Sequence, residues 1–142
     1  MKKSVKRRII RNTVKGIPYI IILGFVIAFF RSCGREEQLM KNYTFTNGTV
    51  LRFSPDYRGA GGGITYEFVV NGIKYENKSL YAPIYSSKGY SFVGRSFPVA
   101  YDSTNVNNNT ILILPMDFKK FHISFPDSLE WIRQYIRPDK RS

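Results

Sequence analysis

The feature that most restricts the fold is a short stretch near the middle of the chain. Ile64-Thr-Tyr-Glu-Phe-Val-Val70 alternates in period two, Asn71-Gly72 follows, and Ile73-Lys-Tyr-Glu-Asn77 alternates again. Asn-Gly is the preferred pair for a two-residue type I′ turn, because both central positions need positive φ. The spacing therefore predicts a β-hairpin. Ile64, Tyr66, Phe68 and Val70 fall on one face of its first strand, Ile73 and Tyr75 on one face of the second.

Other strand signals surround it. They begin near Tyr43, and Thr49-Val-Leu-Arg-Phe53 is β-branched and apolar. Ser54 to Gly63 contains Pro55 and four glycines and is expected to be a loop. Phe97-Pro-Val-Ala-Tyr101 reads as a strand that Pro98 confines to an edge or a strand start. Asp102 to Asn109 reads as an Asx-rich turn region, followed by a short strand Thr110–Leu114 that Pro115 stops. Near the C-terminus the period changes. Asp127 as N-cap with Glu130 three residues on suggests a short amphipathic helix, Ser128 to Ile136, serving as a lid on the sheet, with a membrane-surface or partner contact as the alternative because the basic residues Arg133, Arg137, Lys140 and Arg141 are nearby. Aromatic residues are 15% of the chain, mostly Tyr and Phe, which favours strands. The expected fold is mainly β: an N-terminal single transmembrane helix, then a small antiparallel β-barrel or sandwich with a short C-terminal helix.

The transmembrane expectation rests on Gly16 to Phe30, which contains no charged residue. Ten of its positions are Ile, Leu, Val or Phe, together worth about −3 to −6 kcal/mol on an insertion scale. Fifteen residues at 1.5 Å rise span roughly 22 Å, short of a hydrocarbon core of roughly 30 Å. Lys15 and Arg31 flank the run and can snorkel to the interfaces. Seven basic residues and no acid precede it, whereas 15 basic and 10 acidic residues follow from Arg31 onward. More than half of the net charge of +12 is thus an orientation signal beside a hydrophobic segment. It is not the basic face that a nucleic-acid binder carries on its folded domain.

The segments expected from this pattern are a basic cytoplasmic tail (1–15), a signal-anchor (16–32), a linker (33–42), a β domain (43–125) and a C-terminal helix and tail (126–142). Two other fates of the run are open. A cleaved secretory signal lacks a small-x-small site. A lipoprotein would use Cys33, since Ser32-Cys33-Gly34 looks like the end of a bacterial lipobox, although Arg31 falls where a small residue is wanted. Cys33 is the only cysteine, so it forms neither an intrachain disulfide nor a cysteine-based zinc site.

Gly48-Thr-Val50, the hairpin Ile64 to Tyr75, and Phe97-Pro-Val-Ala-Tyr-Asp102 with Asn105 occur in an order that resembles a family of small bacterial domains catalogued as a domain of unknown function. Ser103 and Val106 replace the prolines usual in its last motif. The resemblance implies a compact all-β module, often found beside membrane segments, and contributes no catalytic residue.

Motifs for chemistry are sparse. Gly59-Ala-Gly-Gly-Gly63 lacks the Gly-Lys-Ser/Thr and the following helix of a phosphate loop. His122 is the single histidine, too few for a histidine-based metal site. Asp102 with Asn105, Asn107, Asn108 and Asn109 lacks calcium-loop spacing. No catalytic, metal or cofactor residue is therefore assigned, and no small-molecule substrate or nucleic acid is expected. Tyr81, Tyr85 and Tyr90, near Lys78 and Lys88, could stack bases, but suit a protein partner better, on an expected loop Ser79 to Gly89. The chain reads as a single-pass envelope protein whose outward domain is a non-enzymatic interaction or accessory module. An immunity or inhibitor protein acting against a toxin at the membrane is the alternative.

Overall fold

The computed structural model describes residues 21–28 and 34–138. The chain divides into two compact units, residues 1–38 and 39–142. In the first, 21–28 are helical, with apolar side chains such as Phe25 exposed to solvent. No helix among the described residues is long and apolar enough to cross a membrane. Residues 16–20 and 29–32 of the expected anchor, with Lys15, Arg31 and Cys33, lie outside the described residues.

The second unit holds five strands: β1 Tyr43–Pro55, β2 Ala60–Val70, β3 Ile73–Tyr85, β4 Ser96–Asp102 and β5 Asn105–Ile111. They form one antiparallel sheet in the order β3-β2-β1-β4-β5. Of the two expected architectures, it is a barrel. β1 belongs to both halves: residues 43–49 pair with β4 and residues 48–55 with β2. At the crossover, a Cβ on Gly48 would lie 2.6 Å from Val99 Cγ2. One step later the register shifts between Val50 and Arg52, a β-bulge that bends β1 and curls the sheet.

The predicted hairpin is present. Asn71 (φ 51°) and Gly72 (φ 77°) make the turn, and Ile64, Tyr66, Phe68 and Val70 are buried. Tyr75 stacks on Phe68, whereas Ile73 beside the turn is exposed.

Several expected loops are strand. β1 runs on to Pro55 and β2 starts at Ala60, so the connection is only residues 56–59. The glycines beyond it make room. A Cβ on Gly62 would fall 2.5 Å from the Phe53 ring, and one on Gly89 would fall 2.1 Å from the same ring. Ser79 to Tyr85 is likewise the second half of β3, with Ala82, Pro83 and Ile84 bulged opposite Gly61. The Asx-rich turn shrinks to Ser103-Thr104, and Asn105 to Asn109 run in β5. β4 is an inner strand, so of the edge or strand start that Pro98 allowed it is the start that holds, with Pro98 its third residue. Leu112 N–H donates to Pro98 O (2.8 Å), so the missing proline N–H faces the side where β5 has already ended.

The barrel closes at the β3–β5 seam through side chains. The Tyr66 hydroxyl and Asn77 Nδ2 both donate to Asn109 Oδ1 (2.7 and 2.9 Å), and Asn109 Nδ2 donates to Val106 O (2.7 Å). Further along, the Tyr81 hydroxyl donates to Ile111 O (2.5 Å). Asn109 thus satisfies two donors at once. Asn109→Ala is expected to cost about 2 kcal/mol and Tyr66→Phe about 1, because only the former leaves buried donors unmatched. Denaturant unfolding checks this, and equal losses for the two variants would contradict it.

Inside the barrel, Val50, Phe53, Ile64, Tyr66, Phe68, Phe92, Phe97, Val99 and Ile111 form the main core. A second cluster, Leu39, Ala100, Leu112, Phe118 and Phe121, covers the outer side of β4. β4 is therefore buried on both faces, which accounts for its run Val99-Ala100. Leu39 and Met40 join this cluster from the expected linker, whose residues 34–42 are helical.

Residues after β5 close the ends. A helix, Pro115–Lys120, starts where a strand was expected to stop. Pro115 suits the first helical turn, and Asp117 Oδ2 accepts the N–H groups of Ile113 and Leu114 (3.0 and 2.8 Å). The expected C-terminal helix is a 3-10 helix, Asp127–Tyr135. Asp127 makes no capping bond, since Pro126 holds the cap position, and Glu130 pairs with Arg133 instead. Ile132 is fully buried in the main core, while Trp131 and Tyr135 pack around Phe92.

Candidate functional site

Among the described residues of the second unit, a surface groove of about 740 Å³ is lined by Ala82, Pro83, Met116, Arg133, Ile136, Arg137 and Pro138. Three separate pieces of chain build it. The β3 bulge supplies Ala82 and Pro83, the first turn of the 115–120 helix supplies Met116, and the 3-10 helix with the chain leaving it supplies the rest. The pieces are locked by backbone bonds. Ile136 forms an antiparallel bridge with Ile84, and Arg137 N–H donates to Pro83 O (2.7 Å). A proline in the bulge leaves its carbonyl available while offering no competing donor.

The floor is apolar and the rim basic. Met116 is 59% exposed, a high value for a large apolar side chain beside a groove. Arg133 pairs with Glu130 and lies over the Phe125 ring at 5.1 Å. Lys119 and Lys120 are exposed on the helix that carries Met116, at the i+3 and i+4 positions that share its face. A smaller groove, about 540 Å³, is lined by Phe45, Thr46, Asn47, Pro98, Phe118, Ile123, Ser124 and Pro126.

The three candidate tyrosines separate. Tyr81 is buried, its hydroxyl engaged at the seam, and burial pushes that hydroxyl's pKa well above its ordinary 10.0. It is not available to a partner. Tyr85 and Tyr90 keep 39% and 59% of their surface, with Tyr90 edge-on to Phe53 at 5.4 Å. Their segment is the end of β3, the turn 86–88 and a 3-10 turn Gly89–Phe92. A base-stacking platform would need exposed rings on the outer face of β2 and β3. Alternation instead gives that face Glu67, Val69, Lys74, Glu76, Lys78 and Leu80, with Lys74 paired to Glu67.

The polar groups inside the unit hold its shape. Burial raises Tyr66 to about 12, so its hydroxyl remains a proton donor. Asp102 is buried and accepts both the N–H and the hydroxyl of Thr104 (2.8 and 2.6 Å), which holds its pKa below the ordinary 3.8. Asp117 is shifted the other way, since desolvation outweighs its two backbone donors. His122 is exposed with φ 56°, in the turn after the 115–120 helix. Among the described residues no group of three or more His, Cys, Asp or Glu side chains could hold a metal.

The two aspartates give opposite acid responses. A lowered carboxylate pKa contributes stability above its unfolded value and loses it as pH falls through the folded value. A raised one makes stability decline as pH rises from the unfolded to the folded value. Unfolding curves across acid pH are therefore expected to lose a limb below pH 3.8 in Asp102→Asn and to lose a decline above it in Asp117→Asn. Identical pH profiles for wild type and Asp102→Asn would refute the assignment.

Sequence reasoning noted Arg133 and Arg137 but missed Ala82, Pro83 and Met116, which meet them only in three dimensions. The one local hint was Pro115-Met116, a proline that starts a helix and sets an apolar side chain in its first turn. Comparison with known protein families, with curated proteins and with solved structures finds no match.

Proposed function

We propose that this chain is a non-enzymatic interaction or accessory module of the cell envelope, held at a membrane by residues 16–32 with the barrel outside the cytoplasm. The observation that carries the proposal is the division of labour in the barrel unit. Its buried polar side chains close the seam and fix the turns, while the groove at Met116 offers solvent an apolar floor. Such a surface favours adhesion to a partner over bond-making chemistry. The charge-free run after seven basic residues supports the anchor and its orientation.

A reporter fused after Ser142 tests the topology. Export-dependent activity, with the protein retained in membranes after alkaline extraction, is the expected result for both wild type and Cys33→Ser. Cytoplasmic reporter activity would overturn the orientation. Loss of membrane retention in Cys33→Ser alone would replace the helical anchor with a lipid on Cys33.

A further inference from the structure

We infer that the face around the Met116 groove docks onto an anionic lipid surface. The inference rests on the membrane-proximal reading above and names the partner of its groove. An exposed apolar side chain on a face that also carries an excess of cations is the composition of an interfacial contact: the apolar group enters the headgroup boundary and the cations meet lipid phosphates. Met116 supplies the apolar element, and Ile136 and Pro138 extend it along the groove. Lys119, Lys120, Arg133 and Arg137 bring four cations to this face, of which Arg133 is paired with Glu130 and Lys120 faces Asp117.

Two acids are nearby, and neither reverses the sign. Glu130 pairs with Arg133, and the Asp117 carboxylate accepts the N–H groups of Ile113 and Leu114 and faces Lys120, which leaves the face with two cations in excess. The other outer surface described, on β2 and β3, mixes Glu67 and Glu76 with Lys74 and Lys78 and has no such excess. An acidic protein could meet the same cations, but the open groove and the protruding Met116 favour a fluid surface that adapts to the side chain. A domain tethered beside a bilayer also meets that surface at high effective concentration.

The test uses the full chain reconstituted in nanodiscs, of phosphatidylcholine alone or mixed with phosphatidylglycerol, with amide hydrogen exchange read for residues 115–120 and 133–138. Phosphatidylglycerol should slow exchange in those two segments and leave β2 unchanged, and added salt should reverse the effect. Each basic residue removed should reduce the docked-to-free ratio about fivefold. Lys119→Gln alters only an exposed side chain, and Met116→Ser tests the apolar element, with unchanged Trp131 fluorescence reporting an intact fold. Equal exchange in the two lipids would overturn the inference. So would protection by a soluble polyglutamate peptide without any phosphatidylglycerol effect, which would point to an acidic protein partner. Either result leaves the topology assay, and hence the envelope reading, untouched.

Discussion

Gly61→Ala is expected to destabilise the barrel by about 2–5 kcal/mol, combining left-handed backbone strain of about 1–2 kcal/mol with overpacking of about 1–3. Gly61 has φ +72°, and a Cβ there would lie 2.0 Å from Tyr81 O and 2.6 Å from Ala82 Cα. Both obstacles are backbone, so no side-chain rotation relieves them. The strand cannot simply retreat either, because Gly61 O accepts the Asp56 N–H and the Ser86 hydroxyl (3.1 and 2.7 Å). Gly59 provides the control. Its φ is +73°, yet nothing lies within 4 Å of its would-be Cβ. Gly59→Ala should therefore show the strain alone, about 1–2 kcal/mol. Urea unfolding followed by Trp131, the only tryptophan, measures both. Equal losses in the two variants would mean that the β3 bulge yields and the close approach is not a constraint.

The same glycines show where sequence reasoning stops. A run such as Gly59-Ala-Gly-Gly-Gly63 signals either a loop or a strand that something must approach closely. Choosing between them requires knowing that Phe53 and Tyr81 arrive at that spot, and neither is adjacent in the chain. The hairpin was legible because its information is local: Asn71-Gly72 sets the turn and the alternation of Ile64 to Val70 sets the buried face. The strand near Phe97 was legible too, but its place in the sheet was not. Pro98 indicates one missing N–H without indicating which neighbour lies on that side. The Asn run of β5 was read as a turn because Asn favours turns. Only Asn77 and Tyr66 across the seam reveal why an amide is wanted at position 109.

The candidate site was less legible than the fold. Tyr81, Tyr85 and Tyr90 look alike in sequence, and Tyr81 and Tyr85 even share a strand parity; the bulge at residues 82–84 and the seam bond to Ile111 O, both long-range features, set Tyr81 apart. The groove depends on Ile136 pairing with Ile84, a contact across 52 positions with no local signature. Charge was the part that could be read in advance, since Arg133 and Arg137 belong to a segment already recognised as basic and amphipathic.

That segment gives the second large effect. Ile132→Ala is expected to destabilise the barrel by about 2–5 kcal/mol, the usual range for emptying a fully buried Ile position. Ile132 is fully buried and packed in the main core, although it lies 21 residues beyond the last strand. The 3-10 helix is held on the barrel by Ile132, by the Trp131 and Tyr135 rings around Phe92, and by Arg95 over Trp131 at 4.3 Å. Loosening it should also weaken the groove, because the Arg137 N–H to Pro83 O bond follows directly from its end. Faster amide exchange at Arg137 and a red-shifted Trp131 emission are therefore expected together with the lower unfolding midpoint. Gln134→Ala, on the exposed side of the same helix, should change stability by less than about 0.5 kcal/mol. If Ile132→Ala matched Gln134→Ala in all three measurements, the C-terminal segment would be a dispensable tail. The groove at Met116 would then lose its third wall.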